Sequence, residues 1–371
     1  MFCKTRLITF ALATSASAAF ALPAVAADRP FLDRFGSIKT IASAVPPSGP
    51  AKGDENPYGI AVVPRSTGKL VKGDVLLSNF NDAANQQGTG SSIVELTPAG
   101  TAHVFAVVPR PTATPAVGLT TALVALRSGF VIVGSLPAPG GSAAAARAGA
   151  LTVLSARGKV VETITAGDIN GPWDMTALDR GTSATLFVTN VLNGTVAAKG
   201  KVVDRGTVVR ITLSIGGGIP RMSSNRVIAT GFGEHTDPNA LVVGPTGVGL
   251  GANGVLYVAD SNGNRIAAVP HALTRTSIAV SGGVTVSSGR AINDPLGLAI
   301  APGGNILTVN GADGRIVETA PSSGRQLVVK TLVANGAGDL FGLAPTPGDK
   351  GLYFVDDAGS GPATNSLQML R

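Results

Sequence analysis

The chain has 371 residues, of which 49 are glycine and only 14% are charged, and its formal net charge is +7. The basic residues are scattered, without a dense Lys/Arg run or interleaved aromatic residues, and this excludes nucleic acid as an expected partner. Abundant glycine and short runs of Val, Ile and Thr favour an all-β fold with many turns over a helical one.

The first predicted element is a secretory signal peptide over residues 1–27. Lys4 and Arg6 precede an apolar stretch that ends in small residues, as signal peptidase requires. The only cysteine, Cys3, lies inside this segment, so the exported chain would contain no disulfide. No later stretch reaches the roughly 18 consecutive apolar residues of a membrane span. We therefore expect residues 28–371 to be exported to the periplasm or the exterior, with 27 basic and 22 acidic residues.

The exported part repeats a pattern of short strands six times. Each repeat has a first strand with a small residue near its start, a second strand that ends in Asn, Ser or Asp, and a third strand. The predicted small positions are Gly59, Ala122, Asp174, Ala240, Gly297 and Gly342. The repeats cover approximately residues 57–109, 118–166, 170–231, 237–281, 293–334 and 339–371.

The two ends of the exported chain complement each other. The sixth repeat runs out at Arg371 after its third strand, whereas residues 36–43, "GSIKTIAS", precede the first repeat and have the pattern of a fourth strand. Four-stranded units that are arranged radially and closed in this way predict a six-bladed β-propeller. First strands such as "GIAVV" and "GLAIA" also have the continuous apolar character of strands buried on both faces. We expect one domain over 28–371, and a monomer.

Two stretches carry a resemblance to a known family. "PLGLAIAPGGNILTVNGADGRIVE" from Pro295 and "PNALVVGPTGVGLGANGVLYVADSNGNRIAAV" from Pro238 resemble NHL repeats, whose members form six-bladed propellers. The chain is also distantly similar to the gluconolactonase and strictosidine synthase-like propellers. This resemblance implies the fold, whereas the related propellers include lyases, lactonases, synthases and binding modules.

Carboxylates recur where the chain enters the first strands, which should converge on the axis of the ring. Asp237, Asp294 and Asp339 are the candidate metal ligands, because carboxylates that lie close together repel one another unless a cation compensates. Such oxygen ligands suit Ca²⁺, and the resemblance implies the same metal, since calcium-dependent lactonases of the gluconolactonase group hold it in this tunnel. Ordinary turn chemistry before proline and a metal-free polar site remain the alternatives.

Three residues are candidates for acid–base chemistry. Asp174 occupies a position where the other five repeats have Gly or Ala, and a charge in so confined a place needs a partner. Glu234 and His235, in "GEHTDPN", should lie on the same face as the strand entries. Residues at the strand entries and arginines of long loops are the candidate ligand-binding set: Asn56, Asn170, Trp173, Asn239, Arg147 and Arg205.

Two hypotheses from different classes follow. The first is an exported propeller that binds a protein, a polymer or a small anionic ligand on its loop-rich face. The second is a Ca²⁺-dependent hydrolase or lactonase that uses the tunnel carboxylates. The first is favoured because that face carries a single histidine and the sequence contains no identifiable nucleophile.

Overall fold

The computed structural model describes residues 29–109, 116–216, 218–359 and 361–371. The predicted signal peptide, residues 1–27, lies outside these ranges. The described chain forms six antiparallel sheets arranged as a propeller, which confirms the predicted fold class. Within the described ranges, no helix is both long and apolar enough to cross a membrane.

The N-terminal half of the ring contains three blades, whose strands run outward from the axis in chain order. The chain starts with a 3₁₀ turn at Leu32–Arg34 and strand β1 (Ile38–Ser43). Blade 1 consists of β2 (Glu55–Val62), β3 (Val75–Asn81), β4 (Ser92–Leu96) and β5 (Ala102–Val107). Blade 2 consists of β6 (Leu119–Ala125), β7 (Val131–Ser135), β8 (Leu151–Leu154) and β9 (Val160–Ile164), with 3₁₀ turns at Pro139–Gly141 and Ala143–Ala145. Blade 3 consists of β10 (Pro172–Asp179), β11 (Ser183–Asn190), β12 (Val203–Ser214), β13 (Arg221–Asp237) and β14 (Leu241–Val243), with a short helix α1 (Thr195–Ala198).

The remaining three blades have four strands each and shorter connections. Blade 4 consists of β15 (Pro245–Leu250), β16 (Leu256–Asp260), β17 (Arg265–Val269) and β18 (Val284–Ser288). Blade 5 consists of β19 (Pro295–Ile300), β20 (Ile306–Asn310), β21 (Arg315–Thr319) and β22 (Gln326–Thr331). Blade 6 consists of β23 (Leu340–Pro345), β24 (Leu352–Asp357) and β25 (Asn365–Leu370), and β1 is its outermost strand.

The ring closes where the two ends of the chain meet. Strand β1 pairs with β25 in an antiparallel ladder from Ile38 opposite Leu370 to Ser43 opposite Ser366, as the repeat pattern predicts. Each inner strand contacts the inner strand of the next blade, and β23 in turn contacts β2. Just before β1, the backbone N–H of Leu32 donates to the buried carboxylate of Glu318 in blade 5 over 2.8 Å. The N-terminal segment therefore ties two blades together.

Blade 4 differs from its predicted boundaries. The predicted first strand began at Pro238 with Ala240 as the small residue, whereas the inner strand is β15 and its small residue is Gly247. The reason is that β13 continues to Asp237 and turns back through β14, which pairs with it at the edge of blade 3. The outer strand is β18, which lies beyond residue 281, the predicted end of this repeat. Both errors come from apolar segments that mimic the repeat pattern.

The glycine near the start of an inner strand marks a point where the backbone comes close to the neighbouring blade. A β-carbon on Gly59 would collide with the Thr120 carbonyl oxygen in the next blade. A β-carbon on Gly297 would fall on the Phe341 carbonyl oxygen, and one on Gly342 would press against Tyr58. Because no side chain fits between backbones at this distance, the repeat requires glycine or a comparably small residue in most blades.

We expect Gly297→Ala to lower the free energy of unfolding by about 3 kcal/mol, because the new methyl group overpacks the contact between blades 5 and 6. The matched control is Gly303→Ala, since a β-carbon there meets nothing within 4 Å. Its effect should stay within roughly 0.5 kcal/mol, as for most surface substitutions. Urea denaturation of both variants measures the difference, and equal stabilities would contradict the close contact.

Candidate functional site

Aromatic rings meet at the axis of the propeller. Three of them, Tyr58, Trp173 and Phe341, come directly before the repeat position that holds Gly59, Asp174 or Gly342 in their blades. The Tyr58 ring stacks on Phe341 with centroids 3.9 Å apart and on Phe80 at 4.6 Å. Trp173 approaches Tyr58 and Phe80 edge-on, at 5.9 Å and 5.6 Å. Tyr58 belongs to blade 1 and Trp173 to blade 3, so their contact joins two blades that are not neighbours in the ring. We call these four buried residues the aromatic layer.

A pocket of about 200 Å³ lies above the aromatic layer, on the face where the chain enters the inner strands. We call it the mouth pocket. Its polar lining consists of amides, hydroxyls and two carboxylates: Asn56, Gln87, Asn239, Thr246, Ser261, Asp294 and Asp357. Tyr58, Trp173 and Phe341 supply the aromatic part of its lining. The structure thus brings together four of the predicted site residues, namely Asn56, Trp173, Asn239 and Asp294.

The long loops of the first three blades fold over this face and narrow the pocket. The backbone N–H of Ala138 in blade 2 donates to the Gly88 carbonyl of blade 1 over 3.0 Å. The Gln87 amide donates to the Asn239 carbonyl, which joins blade 1 to the turn after β13. Apolar side chains of these loops, such as Leu136, pack into the same cluster as the aromatic layer. The loops therefore form part of the core.

Two residues of the mouth pocket have a strained backbone. Asn56 and Asp294 each precede the proline of an inner strand, and their φ angles are 61° and 54°. The residue before proline normally prefers an extended conformation, and left-handed geometry in non-glycine residues is concentrated at functional sites. Side chains hold both in place: the Asn56 N–H donates to Asn365 over 2.7 Å, and the Asp294 N–H donates to Asn264 over 2.8 Å.

The lining of the mouth pocket is acidic. Burial raises the pKa of Asp294, and nearby His235 partly offsets this effect. Burial, Asp339 and Asp356 together raise the pKa of Asp357 well above its usual value. Among the described residues that line the pocket, none is Lys or Arg. The lining therefore favours neutral or cationic ligands, in contrast to the small anionic ligand considered from the sequence.

Three buried oxygens in this lining have no hydrogen-bond partner within the described protein. They are Oδ1 of Asn56, Oε1 of Gln87 and Oδ1 of Asp357. Buried polar atoms are nearly always paired in proteins, and each exception calls for an explanation such as a bound ligand or water. These oxygens are therefore free to accept hydrogen bonds from a molecule bound in the pocket.

The three predicted metal ligands do not form one site. Asp237 accepts hydrogen bonds from the backbone N–H groups of Asn239 and Ala240, at 2.7 Å and 3.1 Å, as in an ordinary turn. Asp294 lines the mouth pocket, whereas Asp339 does not. Across the described ranges, no group of three His, Cys, Asp or Glu side chains could hold a metal ion. Aromatic rings occupy the axis where oxygen ligands would be needed, so the residues present do not fit Ca²⁺.

The predicted acid–base residues are also separated. Glu234 is fully buried, its Oε1 accepts the Asn193 N–H over 2.8 Å, and burial raises its pKa to about 7. Because side chains alternate along a strand, His235 points to the opposite face of β13. It lies close enough to Asp294 to lower the pKa of that carboxyl, and its buried Nδ1 has no hydrogen-bond partner among the described residues. Asp174 lies beyond the aromatic layer and lines a different cavity.

The other predicted ligand-binding residues lie outside the mouth pocket. The Asn170 amide donates to Asn193 over 2.6 Å inside the loop network. Arg147 is exposed on a loop, whereas Arg205 is exposed in strand β12 and not in the predicted loop, because β12 already begins at Val203. Sequence reasoning missed Tyr58 and Phe341, although both occupy the repeat position of Trp173. It also missed Gln87 and Asp357, whose position in the pocket depends on loop paths that no repeat position records.

Comparisons with known proteins identify the fold. No protein-family model matches the chain, and no curated protein matches it significantly. Among solved structures, a gluconolactonase from Xanthomonas campestris is 14% identical, with 90% of this chain and 88% of that chain covered and a TM-score of 0.54. The PQQ-bound aldose sugar dehydrogenase of Streptomyces coelicolor is 14% identical, with coverages of 90% and 98% and a TM-score of 0.55. The chain is therefore similar to gluconolactonase-like propellers in fold, and membership of the NHL-repeat family is not confirmed.

We expect calcium to leave the stability of this protein unchanged, because the part of the chain that the structure describes has no group of three acidic or histidine side chains that could hold it. The melting temperature should agree within about 1 °C in excess Ca²⁺ and in excess EDTA, since a ligand stabilises a fold only if it binds the native state. Differential scanning calorimetry measures this. A rise of several degrees with Ca²⁺ would reinstate the tunnel carboxylates as metal ligands.

Glu234 should make the protein less stable as the pH rises. The unfolded chain ionises this carboxyl near its ordinary pKa of 4.5, whereas the folded chain does so at about 7, so stability is lost between these two values. Glu234→Gln keeps an oxygen for the Asn193 N–H and should flatten this part of the profile. Melting temperatures measured from pH 4.5 to 8 test the expectation, which fails if both profiles have the same slope.

Proposed function

We propose that this protein is an exported propeller that binds a small polyhydroxylated ligand, such as a single sugar ring, in the mouth pocket. The observation that carries the proposal is the set of three buried, unpaired oxygens on Asn56, Gln87 and Asp357. Hydroxyl groups of a ligand would donate to them. Export rests on the predicted signal peptide.

The chemistry of the lining supports a polyol over an anion. Carboxylates and amide oxygens accept hydrogen bonds from hydroxyl groups, and the amide nitrogens of Asn and Gln donate to them. An anion would instead meet Asp294 and Asp357 without a basic residue in the lining. Apolar rings next to a few polar groups are the usual composition of a small-molecule site.

The dimensions support a small ligand over a polymer. The mouth pocket holds about 200 Å³, which is below the 300 to 1,000 Å³ or so of a site for drug-sized molecules. The loops of blades 1 and 2 pack on each other above the ring, and Gln87 joins blade 1 to the turn after β13. The structural neighbours named above include proteins of aldose and gluconolactone chemistry, which agrees with this ligand class.

A second candidate function is metal-independent hydrolysis of a lactone or ester in the same pocket. It is favoured by His235, which lies close enough to Asp294 to affect the pKa of that carboxyl and whose buried Nδ1 has no partner within the described ranges. A carboxyl with a raised pKa beside an imidazole can act as a general acid or base toward water. The two residues belong to different blades, so the fold itself brings them together.

The binding proposal is tested by calorimetric titration with a panel of monosaccharides and sugar lactones. At least one member should bind with a dissociation constant in the millimolar range or below, that is, with at least about 4 kcal/mol. Asp294→Asn should change this affinity by roughly tenfold or more, because it removes one of the two carboxylates. Asp237→Asn is the matched control, since Asp237 lies outside the pocket and Asn can accept the same turn hydrogen bonds. Absence of binding across the panel, or an equal loss in both variants, would overturn the proposal.

The two candidate functions are separated by incubating the same lactones with the protein in EDTA. Binding without hydrolysis supports the binding function. Hydrolysis that His235→Ala abolishes, without loss of binding, supports the second function. Hydrolysis that survives this substitution would exclude the role assigned to His235.

A further inference from the structure

A second cavity lies on the other side of the aromatic layer. It has a volume of about 390 Å³, and residues from all six inner strands line it. The lining extends to the far ends of these strands, for example to Val62 in blade 1 and Pro345 in blade 6. We call this cavity the well. It runs for about 17 Å from Asp174 to Asp179 at 3.3 Å per residue, toward the face opposite the mouth pocket.

The wall of the well is apolar. Its side chains include Ile60, Leu123, Met175, Leu298 and Leu343. The polar side chains among its described lining residues are Thr121, Asp174, Thr176 and Asp179. Asp179 lies at the outer end, where its two oxygens accept the backbone N–H groups of Arg127 and Gly181, at 2.6 Å and 2.7 Å. Asp174 is therefore the one carboxylate at the inner end.

Asp174 occupies the position that is glycine or alanine in the other five blades. Its Oδ2 accepts the N–H of Val248 in the next blade over 2.9 Å, so a hydrogen bond replaces the direct backbone contact. Burial raises its pKa to about 7. Within the described lining of the well no Lys, Arg or His faces it, and Asp179 is the only other titratable group. The carboxylate thus lacks a countercharge.

We propose that the well binds a small organic cation with an apolar body, an alkyl- or arylammonium, whose ammonium group pairs with Asp174. An ammonium supplies the missing countercharge and donates hydrogen bonds to the carboxylate, while the hydrocarbon part covers the apolar wall. A neutral apolar molecule would leave the ionised carboxylate unpaired in a dry site, which is costly. A divalent metal would find too few oxygen ligands at this depth.

The proposal is tested by calorimetric titration with hexylamine at pH 8, with hexanol and hexanoate as probes of the same length. Hexylammonium should bind with saturation and roughly tenfold or more tightly than hexanol, whereas hexanoate should not bind. Asp174→Asn should weaken hexylammonium binding at least tenfold, or about 1.4 kcal/mol. Asn retains an acceptor for Val248, so the contact between blades 3 and 4 is kept.

Two further variants serve as controls for this test. Asp294→Asn alters the mouth pocket and should leave hexylammonium binding unchanged, so failure of the polyol proposal and failure of this one are distinguishable. Ala299→Trp places a large side chain on the wall of the well and should abolish binding while Asp174 remains. If Asp174→Asn does not fold, Ala299→Trp carries the test.

The pH dependence provides an independent readout. An alkylammonium keeps its charge up to about pH 10, as lysine does, whereas Asp174 ionises only near pH 7. Affinity should therefore rise between pH 6 and pH 8 in the wild type and stay constant in Asp174→Asn. Equal binding of hexanol and hexylamine, no saturation, or an unchanged affinity in Ala299→Trp would overturn the proposal.

Discussion

Backbone-to-backbone contact between neighbouring inner strands governs the centre of this molecule. Where Gly297 meets Phe341 and Gly342 meets Tyr58, a β-carbon has no room. Contact this close leaves the axis so narrow that only a few side chains can occupy it. The side chains that do so belong to the residues directly before this repeat position. Three of them are aromatic, and stacked and edge-on pairs of this kind contribute about 1 kcal/mol each beyond their burial. The aromatic layer therefore both stabilises the ring and divides its channel.

The division creates two cavities of different chemistry in one domain. Amides, hydroxyls and carboxylates line the mouth pocket, and its shape depends on the long loops of blades 1 to 3. Hydrocarbon side chains line the well, with Asp174 at its inner end. The residue at the position of Asp174 therefore has different effects in different blades. Glycine there lets neighbouring backbones touch, whereas aspartate places a carboxyl group at the axis.

The fold was predictable because its constraint recurs in the sequence: a small residue returns in five of the six inner strands, and residues 36–43 supply the strand that the last repeat lacks. Blade 4 was misassigned because the length of β13 is set by its pairing with β14, which no periodicity records. For the site, Asn56 and Asp294 line one pocket because the entries to the inner strands converge on the axis. The same convergence does not determine the position of the Asp237 side chain, because Asp237 accepts a hydrogen bond from the backbone of its own turn.

Closure of the ring by β1 has a consequence for the order of folding. Ser43 pairs with Ser366, so the first strand of the propeller can find its partner only when the last one has been synthesised. Contacts between residues this far apart in sequence form slowly, because a long loop must close before they stabilise the fold. Until β1 and β25 pair, the last blade keeps an open edge. For a protein that is exported, as we propose, slow closure would leave time for the chain to cross a membrane before the ring is locked.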